Sequence, residues 1–129
     1  GALDYPGAFQ AGVMQQVFES VAWQRLVPAQ EALRNPPKNS AAKVMAAVDS
    51  AGEFAMVYSP FGEAFQFDVR RLKAGELSAQ WIDPRTGHRI DLRPFERPDQ
   101  HHDFNPPADP ARGNDWVLLL SVQKVSDRR

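Results

Sequence analysis

Cysteine is missing from all 129 residues, so neither a disulfide framework nor a thiolate metal site can hold this chain together, although the absence does not discriminate between exported and cytoplasmic proteins. A charge imbalance is missing as well. Fifteen basic residues against sixteen acidic ones leave a formal charge of −1, and the basic residues are scattered instead of striped, which argues against a nucleic-acid partner. Apolar runs such as Trp116–Leu120 fall far short of the roughly 20 residues that cross a bilayer, and no signal-like segment opens the chain. The expectation is a soluble protein without a membrane partner, with any export segment lying upstream of Gly1. A glycine-rich phosphate loop and a serine nucleophile elbow are also absent, which removes those two chemistries. What is present is a 43% hydrophobic content, enough for one modest core in a single domain.

The first third has helical periodicity. Phe9, Val13 and Val17, with Met14, Phe18 and Val21, recur at spacings of three and four and make one broad apolar stripe. This predicts an amphipathic helix over roughly Gly7 to Ala22, with Asp4 and Pro6 suited to its first turn. Trp23, Leu26 and Val27 carry the apolar content into an exit segment, and RNPPKNS, residues 34–40, reads as a linker because a double proline resists both helix and ladder.

From Lys43 the period changes to two. Val44–Val48 and Phe54–Tyr58 flank DSAGE, a hairpin signal with Gly52 available for a positive φ. Phe65, Phe67 and Val69 alternate with polar residues as a third strand, Leu77, Ala79 and Trp81 as a fourth, and His88–Leu92 as a fifth. Arg93–Asn114 is proline-rich and is expected to be a long surface loop with a short strand near Phe95. DWVLLLSVQK predicts a last strand that is central, because Val117–Leu120 is apolar on both faces. The fold class is therefore mainly β, an antiparallel β-sandwich of about six to eight strands with one N-terminal amphipathic helix.

The stretch WIDPRTGHR, Trp81–Arg89, combines an aromatic, an acid and bases with tight-turn chemistry. Asp83 can accept backbone N–H bonds, Pro84 presets φ, and Gly87 can take the left-handed position. Trp81 could bury roughly 150–250 Å², so a core or interface role requires no ligand. Arg85 and Arg89 are not demanded by a turn; local salt bridges or interdomain contacts compete with recognition of carboxylates or sugar hydroxyls. Tyr58, Trp81 and Trp116 are candidate sugar platforms with core packing as the alternative, burial being favoured for Trp116, and Phe61, at a turn, is the aromatic expected to be exposed. Glu63, Asp68, Asp83 and Asp91 supply carboxylates, but at turns or solvent faces, where a catalytic pair is not expected. His101-His102-Asp103 holds metal-ligand types whose neighbouring side chains diverge on an extended segment, so a solvated loop is expected there instead of a metal site.

The run AMVYSPFGEAFQFDVRRL, then WIDPRTG, then DWVLLL, over about Val44 to Val122, resembles the small β-sandwich family described as "putative collagen-binding domain of a collagenase". LDYPGAFQAGVMQQVFESVAWQRLVP is similar to the closing helix of a barrel and the segment leading into such a sandwich. The resemblance implies a C-terminal accessory domain on a TIM-barrel protein of glycoside-hydrolase type, apiosidase-like enzymes included, in bacterial polysaccharide degradation. Its family catalytic acids belong to barrel strands outside this chain, so it implies no catalytic residue, metal or cofactor here. The implied organisation is residues 1–33 as barrel helix and connector, 34–40 as linker, 41–125 as β-sandwich and 126–129 as tail. The implied partners are the upstream barrel and either carbohydrate or collagen, in the periplasm or outside the cell. Candidate binding residues are Tyr58, Phe61, Trp81, Asp83, Arg85 and Arg89.

Overall fold

The computed structural model describes residues 19, 21, 23–34, 44–109, 111 and 113–123. The helix expected over Gly7–Ala22 thus lies outside the described residues, except for Glu19, which is helical, and Val21. Residues 35–40 of the expected linker and the tail also lie outside them. Elsewhere among the described residues, helical structure is confined to short 3-10 turns, as at Trp23–Arg25, Gln30–Ala32 and Val69–Arg71.

Ten strands occur among the described residues: β1 Leu26–Pro28, β2 Leu33–Arg34, β3 Met45–Asp49, β4 Phe54–Ser59, β5 Phe65–Asp68, β6 Glu76–Ile82, β7 Arg89–Asp91, β8 Phe95–Glu96, β9 His101–Phe104 and β10 Trp116–Val122. Seven form one sheet in the order β1-β3-β4-β10-β6-β7, with β8 also on β6; β2, β5 and β9 form a second sheet in the order β2-β5-β9. All the pairings are antiparallel. The fold is mainly β, as the alternating patterns predict.

Local chemistry sets the turns. Between β3 and β4 the Asp49 carboxylate accepts from the Ala51 and Glu53 amides at 3.1 and 3.0 Å, and Gly52 takes φ +74°. β10 lies between β4 and β6, and its first five residues are buried, in keeping with the central strand expected from its unbroken apolar run. β5, by contrast, alternates buried Phe65 and Phe67 with half-buried Gln66 and Asp68, which is a strand with one wet face.

Three expectations need correction. Val69 does not extend the third strand: the Asp68 side chain accepts from the Arg70 amide at 3.0 Å and starts a 3-10 turn, an N-cap interaction that ends the ladder. The Arg93–Asn114 stretch is not one loop, because besides β8 it contains β9, which pairs with β5 along Phe65–Asp68. HHDF contains a single large apolar residue, so its period is invisible until β5 supplies the partner. Finally, the exit segment after the expected helix is itself part of the sheets: Val27 pairs with Val48, and Leu33 with Phe67.

One buried cluster draws on both sheets. Leu33, Phe65, Phe67 and Phe104 of the small sheet join Trp81, Leu118 and others of the large one. Phe65 and Trp81 meet edge to face, with centroids 6.0 Å apart at 75°, a favoured aromatic geometry. A second cluster, including Leu26, Met56, Tyr58, Ile82, Val117 and Leu119, alternates with the first along β4 and β10 and occupies the opposite face of the large sheet.

Candidate functional site

The three stretches that carry the family resemblance meet at one end of the body, where the β4–β5 turn, the β6–β7 turn and the loop entering β10 come together. In the middle turn, Asp83 behaves as the sequence requires. Its carbonyl accepts from the Thr86 and Gly87 amides at 3.3 and 2.7 Å, its Oδ1 accepts from the Arg85 amide at 2.9 Å, and Gly87 has φ +83°. The Arg85 side chain folds back on the same carboxylate, Nε to Oδ1 at 2.9 Å and Nη2 to Oδ2 at 3.1 Å.

Arg85 then reaches across to the loop before β10. Its Nη1 donates to the Gly113 carbonyl, and its Nε lies 3.5 Å from Asp115 Oδ1. The other Asp115 oxygen accepts from the Tyr58 hydroxyl at 3.2 Å. A continuous chain Asp83–Arg85–Asp115–Tyr58 therefore ties β6–β7, β10 and β4 together. Burial pushes the Asp83 carboxyl up, but hydrogen bonds from Arg85 outweigh it and hold the group below its ordinary range. Burial, then the neighbouring Asp115 carboxylate, pushes the Tyr58 phenol well above its ordinary value.

The β4–β5 turn closes the same end. Ser59 Oγ donates to the Glu63 carbonyl at 2.9 Å, and the Ala111 amide donates to the Phe61 carbonyl at 2.9 Å. Gly62 has φ +71°, and a Cβ there would stand 2.5 Å from the Asn114 carbonyl oxygen. Only glycine permits that approach without displacing backbone.

The candidate binding residues divide by environment. Trp81, 1% exposed, lies in the core between the sheets, and Tyr58, 3% exposed, lies on the other face of the large sheet; neither ring offers a platform to solvent. Trp116 is buried, with its indole Nε1 unpartnered among the described residues. Phe61 is half-buried. Arg85 and Arg89 are exposed, but Arg85 is engaged as described and Arg89 donates to Gln80 Oε1 at 3.1 Å. Asp115, Asn114 and Gly62 escaped the sequence reading as members of this end, though Asp115 opens the quoted DWVLLL and Gly62 sits in SPFGE.

Two of the other candidate carboxylates are similarly engaged. Asp68 takes Arg70 through both oxygens at 2.8 and 2.9 Å, which lowers its pKa, and Asp91 accepts from Gln80 at 2.6 Å. A general acid for glycoside hydrolysis needs a raised pKa; Asp49, Asp68 and Asp83 all move the other way. His102 stacks on Phe95 at 4.6 Å between centroids, whereas Asp103 accepts from Gln66 at 2.6 Å. Among the described residues no group of three or more His, Cys, Asp and Glu could hold a metal ion, and no helix is long and apolar enough to cross a membrane.

An antiparallel two-sheet β domain whose motif residues clamp its own loops is the class these observations define. The chain belongs to the family described as "Putative collagen-binding domain of a collagenase", whose model matches residues 27–121. Two solved structures are similar in fold. One is described as "Glycoside hydrolase", with a TM-score of 0.76 and 18% identity over 86% of this chain. The other, a glycoside hydrolase family 5 protein from Bacteroides vulgatus ATCC 8482, has a TM-score of 0.76 and 17% identity over 86% of this chain. The chain covers only 24% and 23% of those two proteins. Among curated proteins none matches it.

Proposed function

We propose that this chain is a non-catalytic accessory β-sandwich at the C-terminal end of a glycoside-hydrolase-like protein, with a structural or substrate-positioning role in polysaccharide degradation. The observation that carries this reading is the scale of the likeness: 86% of this chain corresponds to about a quarter of each of two glycoside hydrolases. The remainder of such a protein is where a TIM-barrel catalytic domain belongs, with the sequence before β1 leading out of it and the sandwich running from β1 onward. The cluster shared by the two sheets supports the sandwich arrangement. Arginine-paired, low-pKa carboxylates support the absence of catalysis in this piece. Attachment to a polysaccharide-degrading enzyme favours the periplasm or the cell exterior.

The test compares this chain alone with the same chain joined to its upstream sequence, on a panel of polysaccharides and aryl glycosides. Hydrolysis is expected only from the joined protein. Turnover by the isolated chain at a comparable rate would overturn the reading.

The alternative is an autonomous module for glycan or collagen. The family description and the half-buried Phe61 beside the Arg85 turn favour it, with Arg89 as a flanking cation. A glycan array and a collagen pull-down decide it: retention lost in Phe61→Ala would support it, and two blank results would remove it.

A further inference from the structure

Along β6 the ladder changes register partway. β7 pairs with it through Gln80↔Asp91 and Ile82↔Arg89, and β8 through Leu77↔Phe95 and Glu76↔Glu96. Three steps back along β6, from Gln80 to Leu77, therefore answer four steps forward, from Asp91 to Phe95, which is a one-residue β-bulge. The Leu92 amide still donates to the Ala79 carbonyl at 2.9 Å, so the extra residue falls at Arg93-Pro94, opposite Ser78, where Pro94 has no N–H to give the ladder. Pro94 of this bulge lines an open groove of about 360 Å³ together with Ser78, Gln80, Asp91, Leu119 and Ser121. That volume lies in the range of small-molecule sites, about 300–1,000 Å³.

The groove is polar where the rest of the sheet is not. Ser78 and Gln80 alternate on β6 with Leu77, Ala79 and Trp81 of the core between the sheets, and Ser121 lies directly across from Ser78. All three are half-buried and stand on the same face as Leu119. The Gln80 carboxamide is fixed at both ends: its Oε1 accepts from Arg89 Nη1 at 3.1 Å, and its Nε2 donates to Asp91 Oδ1 at 2.6 Å. Asp91 Oδ2 and the hydroxyls of Ser78 and Ser121 have no hydrogen-bond partner among the described residues, and Asp91 is exposed.

We infer that this groove binds a neutral mono- or disaccharide unit, with Asp91 Oδ2 accepting from ring hydroxyls, Ser78 and Ser121 donating to or accepting from others, and Leu119 and Pro94 meeting a C–H face. The lining selects this chemistry. An ionised carboxylate only accepts, so it calls for a ligand rich in donors, and hydrogen bonds to it are about twice as strong as neutral ones. None of the residues lining the groove is basic, and Arg89 beside it is engaged by Gln80, so a phosphate or a uronate would face the Asp91 charge. An acyl chain would leave the serines and Gln80 desolvated and unpaired. A sugar ring carries hydroxyls on its rim and C–H groups on its face, which matches both parts of the lining. The inference rests on the substrate-positioning role proposed above and gives it a location, apart from the Phe61 turn.

The test titrates the isotope-labelled full chain with cellobiose, xylobiose and mannobiose, followed by two-dimensional NMR. At least one of the three is expected to move the Gln80 side-chain amide and the backbone amides of Ser78, Leu92 and Ser121 before any others. Asp91→Ala should weaken that binding at least tenfold, as should Ser78→Leu, which fills the groove and leaves the carboxylate in place, whereas Phe61→Ala should leave it unchanged. Groove signals that stay still with all three sugars would overturn the inference, as would shifts centred on Phe61, unchanged affinity in Asp91→Ala, or tighter binding of digalacturonate than of the neutral sugars. The site and the accessory role fail separately. Hydrolysis by the joined protein alone, with groove signals unmoved, would sink the site and spare the role; groove shifts in a chain that itself hydrolyses polysaccharide would support the site and overturn the role.

Discussion

The Arg25 guanidinium grips the Asp49 carboxylate at both oxygens, Nε to Oδ1 at 2.6 Å and Nη2 to Oδ2 at 2.7 Å. Asp49 has no exposed side-chain surface, whereas that of Arg25 is 42% exposed. The pair therefore fastens the residue before β1 to the β3–β4 turn.

This pairing predicts a pH dependence. Hydrogen bonds from Arg25 hold the Asp49 pKa at about 2 against an ordinary 3.8. A depressed carboxylate stabilises the fold above its unfolded value, and the contribution disappears as pH falls through the folded one. Stability measured by urea denaturation should fall between pH 4 and 2, with about 1–2 kcal/mol of the loss assignable to Asp49 after allowance for solvent around Arg25. In Asp49→Asn that portion should vanish; an identical pH slope in both proteins would refute the assignment.

Tyr58→Phe should cost about 1 kcal/mol, the net value of a buried hydrogen bond, because it removes the donor to Asp115. The chain contains two tyrosines, Tyr5 and Tyr58. An alkaline absorbance titration should therefore show a phenol that resists ionisation above its ordinary range until unfolding, a component absent from Tyr58→Phe. A raised pKa means stability is held below the unfolded value and lost as pH rises past it. Two superimposable ordinary titrations would contradict the buried placement.

Gly62→Ala should destabilise by about 1–3 kcal/mol, through left-handed backbone and a collision with the Asn114 carbonyl. Gly113→Ala, also at a positive φ of +88° but with nothing within 4 Å of the new Cβ, should cost less. Thermal melts of the two variants settle the order.

Trp81→Ala should lose about 3–5 kcal/mol, as expected for an emptied core site, while Arg89→Ala on the exposed rim of β7 should stay within about 0.5 kcal/mol. Equal effects would mean that Trp81 does not hold the two sheets together.

Legibility followed the range of the interaction. The turn at Asp83–Gly87 was readable because Asp, Pro and Gly act within five residues, and the hairpin at Asp49–Glu53 for the same reason. β9 was not, since its pairing partner β5 lies over thirty residues upstream. Of the candidate site, the turn and its acid were visible. The link from Arg85 to Asp115 and from Asp115 to Tyr58 was not, the latter pair being 57 residues apart.

By itself the sequence determined where strands alternate, where turns form and that the last strand runs through the middle of a sheet, because period-two burial and turn chemistry are encoded in near neighbours. Only the tertiary structure decided that Trp81 faces the small sheet while Tyr58 faces away from it, and that the motif arginine closes on the chain's own acids. Burial and pairing of this kind belong to contacts between distant segments, and an aromatic or a guanidinium has the same identity whether its neighbour is solvent, ligand or core.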